Sequence, residues 1–280
     1  MDNSPSRRVA RRGELHTYTK ERFEHDQVTH DVYRKGRGPA VIVLSEFPGM
    51  SAQVMGLGDH MVDLGCTAVL PSLFGVPGRE ANPPSALARI AYQLRTLREI
   101  CVRREFNLFA AGKSSPIIRW LKALAASEHA RCGGPGVGVI GLCFTGGFAL
   151  AMAVESHVLA PVLGEPSLPV HFGRDAAKYS IDCTPADVEK VAGRCVSEDL
   201  KVLGLRFECD PFVPEERFKY LSDRLGDGFV AITLEQSAGH PDGPLPRAHS
   251  VLTLDLIDEP REPTREALDR VLALMRRKLL

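Results

Sequence analysis

The chain has 280 residues and equal numbers of basic and acidic side chains, 35 of each, for a formal charge of zero. That balance excludes the basic excess expected of a nucleic-acid binder and gives no electrostatic reason for membrane attachment. A hydrophobic share of 44% is enough for a sizeable core, while no run reaches the ~18–20 apolar residues of a membrane span.

Residues 1–24 read as a flexible, polar tail carrying Arg7, Arg8, Arg11 and Arg12, without the apolar stretch of a secretory signal. Residues 25–280 read as one domain, expected in the cytoplasm. The seven cysteines are irregularly spaced and include no Cys-x-x-Cys pair. This excludes a zinc ribbon and suits a reducing compartment. Neither a metal nor an organic cofactor is expected.

In chain order, residues 28–33 predict a strand, and Gly36 to Pro39 a turn. The β-branched run 40–44 predicts a strand buried on both faces. A helix over 50–64 ends at Gly65 and leads to a second buried strand at 67–70. A Gly/Pro-rich loop over 75–84 precedes helical spacing over 86–104 and 115–126. Strands follow at 137–140, 159–163, 200–207 and 229–234, with helices at 148–154, 214–225 and 264–280. Residues 166–194 are polar and irregular, turning helical near Asp187. Buried strands alternating with helices predict an α/β class: a mostly parallel sheet with helices on both faces.

The most informative stretch is Gly141-Leu142-Cys143-Phe144-Thr145-Gly146-Gly147. It follows a buried strand, opens a helix, and has the form Gly-x-Cys-x-Gly-Gly, the cysteine version of a nucleophile elbow. Such a turn holds its nucleophile in a strained conformation, and side chains larger than glycine clash at the flanking positions. A helix N-terminus also favours the reactive thiolate. Gly136 to Gly141 spells Gly-x-Gly-x-x-Gly as well, but those glycines run through the strand instead of following it, which argues against a dinucleotide site.

With this elbow in view, the chain from about residue 41 onward resembles the dienelactone hydrolase family of the α/β-hydrolase fold. Residues 41–49, with Glu46 in the loop after the strand, are similar to the family's first core strand. Residues 70–75 resemble the segment after its next strand, and Phe207-Glu208-Cys209-Asp210-Pro211 its acid-bearing loop. The resemblance implies a Cys-His-Asp triad with Cys143 as nucleophile and Asp210 as the acid that orients the histidine. It implies that Glu46 hydrogen-bonds the resting thiol. It also implies an oxyanion hole from the backbone N–H groups of Phe144 and Phe47. Counterparts of the arginines that grip a dienelactone carboxylate are not evident, and Pro48 and the stretch 241–246 depart from the better-known members.

Two histidines follow the last strand. His240 sits in the Ala-Gly-His setting of the better-known members but precedes a Pro/Gly turn. His249 precedes the apolar run 251–256, which can hold it rigidly, and its segment resembles a subgroup whose triad histidine lies before Ser-Val-Leu-Thr. The reading favours His249, with His240 the alternative. The expected activity is hydrolysis of a small-molecule ester or lactone through an acyl-enzyme thioester. A non-catalytic binding scaffold and a thiol-dependent acyl transferase are the rival readings.

Overall fold

In a computed structural model, the structure describes residues 10–83, 85–102, 105–106, 115–168, 179–208, 210–235 and 248–280. The apolar runs form the centre of one sheet: β3 (Ala40–Leu44), β4 (Thr67–Pro71), β5 (Val137–Leu142) and β7 (Val202–Phe207) are buried along their whole length. Continuous rather than alternating hydrophobicity is what a strand covered on both faces requires. With β1 (Thr19–His25), β2 (Val28–Gly36), β6 (Val158–Gly164) and β8 (Phe229–Leu234) the order is β1-β2-β4-β3-β5-β6-β7-β8. The β1–β2 and β2–β4 pairs are antiparallel and the others parallel.

Strand β1 corrects the expected tail. Ala10 is already buried, the Gly13 N–H donates to the Ala52 carbonyl at 2.7 Å, and Thr19–His25 pairs along its length with β2. Asp26 and Gln27, both at positive φ, form the two-residue hairpin turn. The segment reads as a tail because it is an edge strand with outward charges: Lys20, Glu21, Arg22 and Glu24 are exposed and discourage edge-to-edge association. Residues 1–9 lie outside the described residues.

Alternate side chains of the central strands feed two cores. Val41, Val43, Ile140, Leu142, Leu203 and Leu205 pack with α1 (Ala52–Leu64) and the closing helix α7 (Pro263–Leu279). Ile42, Leu44, Val137 and Val139 pack with α3 (Ile117–Cys132), α4 (Gly146–Met152), α5 (Pro185–Ser197) and α6 (Glu215–Leu225). The helix α2 (Ala86–Val102) buries Tyr92, Thr96 and Ile100, and its Tyr92 hydroxyl donates to the Pro48 carbonyl at 3.2 Å. Ser51 caps α1, whose end at Gly65 takes a φ of +100°.

This architecture gathers chemistry at one edge. The parallel strands β3, β5, β6 and β7 run in the same direction. Just past their C-terminal ends stand Glu46, Cys143, Glu165 and Asp210 respectively. Crevices at that edge are where open α/β sheets carry their ligands.

Candidate active site

Cys143 follows β5 directly, at a φ of +54°, and opens a one-turn 3-10 segment that runs into α4. A non-glycine residue in the left-handed region is strained and persists only where its surroundings over-determine it. Here the Leu142 N–H donates to Thr145 Oγ1, and that hydroxyl donates back to the Leu142 carbonyl, each at 2.8 Å. The glycines are steric requirements. A Cβ on Gly141 would meet the Thr145 carbonyl oxygen at 2.2 Å, and one on Gly147 the backbone nitrogen of Asp182 at 2.8 Å. Cys143 is partly exposed, and its sulfur lies 3.1 Å from Ser167 Oγ, a neighbour the sequence did not suggest.

Asp210 stands in the turn after β7. Arg206, buried within that strand, folds back to donate to the carbonyls of Glu208 and Val213, and Asp210 Oδ1 accepts the Phe212 N–H at 2.9 Å. Its other oxygen, Oδ2, lies 2.6 Å from His249 Nδ1. The imidazole is buried and packs edge-on against Phe212. Its second partner is the Cys143 side chain. Burial pushes the imidazole toward neutrality. The sulfur and the Asp210 carboxylate outweigh it and hold the group well above the usual histidine range. Of the two candidate histidines, His249 is thus beside both Cys143 and Asp210, whereas His240 lies outside the described residues.

The turn after His249 is anchored on both sides. Val251, Leu252 and Leu256 are buried in the α1/α7 core. Asp255 Oδ2 accepts the N–H groups of His249 and Ser250 at 2.8 and 2.9 Å. Glu46 departs from its expected place on the thiol. Its Oε2 accepts from Ser250 Oγ at 2.6 Å and its Oε1 from Thr253 Oγ1. Hydroxyls are far better donors than a thiol, so a buried carboxylate within reach of two of them takes those. Burial pushes the Glu46 carboxyl up, and the two hydroxyl bonds oppose that shift. Phe144 is the second residue of the 3-10 turn that Cys143 opens, and Phe47 follows Glu46 in the loop after β3, the strand that pairs with β5.

Two more buried charges complete the surroundings. Arg217 of α6 is wholly buried and donates to the carbonyls of Ser180, Pro166 and Phe212, tying three loops around the site; burial lowers it to about 10. Glu165, also wholly buried, follows β6 at a φ of +37° and accepts the Val251 N–H at 3.2 Å. Among the described residues no group of three or more His, Cys, Asp or Glu is arranged to hold a metal ion. No helix among them is long and apolar enough to cross a membrane.

Comparison with solved structures gives the same fold. The chain matches a dienelactone hydrolase-like promiscuous phosphotriesterase from metagenomic libraries at a TM-score of 0.63 and 17% identity, covering 94% of this chain and 99% of that one. A cold-adapted esterase from an Arctic intertidal metagenomic library matches at 0.56 and 14%, covering 100% of both chains. The 2,6-dihydroxy-pseudo-oxynicotine hydrolase matches at 0.56 and 15%, covering 94% of this chain and 70% of that one. No curated protein matches in sequence. The sequence profile of the dienelactone hydrolase family matches residues 28–169, just over half of the chain, which takes in Glu46 and Cys143 and ends before Asp210 and His249. The chain belongs to the dienelactone hydrolase family and is a hydrolase of that type.

Proposed function

We propose that the protein cleaves carboxylic esters or small lactones through Cys143, His249 and Asp210. The observation that carries this reading is the buried imidazole with Asp210 at 2.6 Å on Nδ1 and the Cys143 side chain as its other partner. A carboxylate on Nδ1 fixes the ring orientation and stabilises the cation that forms during proton transfer. The imidazole holds the proton of the thiol, and the sulfur, as the thiolate, adds to the substrate carbonyl carbon. The resulting oxyanion is held by the backbone N–H groups of Phe144 and Phe47. The carbon–oxygen bond to the leaving group then breaks, and His249 returns the proton to the departing alkoxide. The thioester that remains is attacked by a water whose proton goes to His249. Collapse releases the carboxylic acid and restores the Cys143–His249 pair with its proton on the ring.

Glu46 and Asp255 serve this chemistry at one remove, by holding the turn that carries His249. The test is whole-protein mass measurement during turnover of a panel of short chromogenic esters and lactones. An acyl mass on Cys143, absent in Cys143→Ala together with turnover, is the expected result. Unchanged turnover in Cys143→Ala would overturn the proposal. An acyl adduct discharged faster by added alcohols or amines than by water would make the activity acyl transfer.

A further inference from the structure

The triad leaves one buried acid without a task. Glu165 is fully buried where β6 ends, beside the strand that delivers Cys143. Its Oε2 accepts the Val251 N–H, two residues past His249. Its Oε1 has no partner among the described residues. Glu46, on the other flank of the same strand, holds the hydroxyls of Ser250 and Thr253. Two carboxyl groups from opposite sides of the nucleophile strand therefore grip one four-residue turn.

They cannot both be charged cheaply. A buried carboxylate needs donors on its oxygens, and two neighbouring carboxyls share a site most readily when one keeps its proton. Glu46 has a hydroxyl donor on each oxygen, whereas Glu165 has one backbone N–H and a bare oxygen. We propose that Glu165 is a positioning residue of the Cys143–His249 pair, kept as the neutral acid against Val251 while Glu46 carries the negative charge. This rests on the hydrolase reading of that pair.

The groups that face Glu165 define the consequence. They are Glu46 after β3, Cys143 after β5, Asp210 after β7 and His249 ahead of the turn, with Asp255 facing Glu46 in turn. Burial first, and then the Glu46 charge, push the Glu165 carboxyl well above the usual carboxylate range. While it is neutral, the negative charge beside the sulfur is limited to groups that His249 and the hydroxyls balance. When it ionises, an uncompensated charge opposes both the thiolate and the oxyanion that forms on the substrate, so turnover falls on the alkaline side. The positive φ at Glu165 is in keeping with a side chain held to one spot at some backbone cost.

The experiment is the pH profile of ester turnover for the wild type, Glu165→Gln and Cys143→Ala. Gln keeps an acceptor for Val251 and cannot ionise. Glu165→Gln is expected to turn over near neutrality within a few-fold of the wild type, with its alkaline fall displaced upward by about one pH unit or more, a tenfold advantage within that limb. A purely structural Glu165 would lower turnover by one factor at every pH and leave the limb in place, which would overturn the proposal. Should Glu165→Gln fail to fold, infrared spectroscopy of the wild type and of Glu46→Gln decides. Near pH 8, where Asp182 (pushed up to about 7) has ionised, infrared spectroscopy should still show the C=O stretch of a protonated carboxylic acid, and the band should persist in Glu46→Gln because burial is the larger cause. No such band would overturn the proposal. Turnover surviving in Cys143→Ala would instead overturn the hydrolase reading beneath it.

Discussion

The Cys143 turn and the His249 turn meet at one edge of the sheet and are built by opposite means. The first is local: its glycines, the Thr145 hydroxyl and the strained φ all fall within residues 141–147. The second borrows its rigidity. Asp255 is near in sequence, but the partners Asp210, Glu165 and Glu46 lie 39, 86 and more than 200 residues away. A nucleophile that needs only a particular backbone bend can be fixed by steric fit. On the proposed mechanism the imidazole accepts and returns a proton, so it has to be held by groups that also set its charge, and those come from other strands.

The sharpest way to break that contrast is to remove one remote partner without changing its shape. Asp210→Asn keeps the size of the side chain and loses the charge that orients His249. Turnover is expected to fall by about 10³–10⁴-fold, with the melting temperature little changed. A variant that turns over normally would show that the imidazole needs no borrowed carboxylate. Next in size is the Ser250→Ala/Thr253→Ala double variant, which strips both donors from the buried Glu46 carboxylate. A loosened histidine turn should cost about ten- to a hundredfold in kcat with KM nearly unchanged. The unpaired charge should cost stability as well, about 1–3 kcal/mol or more. Adding Glu46→Gln to that background should return much of the stability but not the rate. Equal recovery of both in denaturation and kinetic measurements would mean that Glu46 acts on the fold and not on His249.

The same contrast explains how much was legible in the sequence. The parallel core could be read from runs such as 40–44 and 137–142, because a strand covered on both faces must be apolar throughout. The elbow could be read because its causes are contiguous. Strand β1 could not, since an edge strand with outward charges has the composition of a tail. The family resemblance supplied the position of Glu46 but not its partners. Ser250 and Thr253 are ordinary polar residues until the fold brings a glutamate to them. Glu165 did carry a signal. Glu165-Pro166 follows a buried strand just as Asp210-Pro211 does, so an acid held by proline at a strand end occurs twice at the same sheet edge. Arg217 had none, because an arginine on an amphipathic helix reads as solvated, and only tertiary packing makes it a three-loop tie.

The smallest expected effect tests whether the Cys143 turn is local in every respect. Asp182 backs onto it: a Cβ at Gly147 would strike Asp182, whose two oxygens accept the backbone N–H and hydroxyl of Ser115 at 3.0 and 2.6 Å. Asp182 is buried, and that burial, partly offset by the Ser115 bonds, raises its carboxyl from 3.8 to about 7. Its folded form therefore holds a proton that the unfolded chain releases near 3.8, so its contribution to stability falls as pH rises from there to about 7 and is level above. The ceiling of that loss is on the order of 4 kcal/mol. Asp182→Asn cannot ionise, so urea unfolding of the two proteins on either side of the window should show the variant gaining on the wild type as pH rises. Turnover at neutral pH should stay within a few-fold, because the elbow's own hydrogen bonds and glycines remain. A large loss of turnover, with stability tracking the wild type at every pH, would show that the nucleophile turn also depends on a distant carboxylate. The two turns would then differ in degree and not in kind.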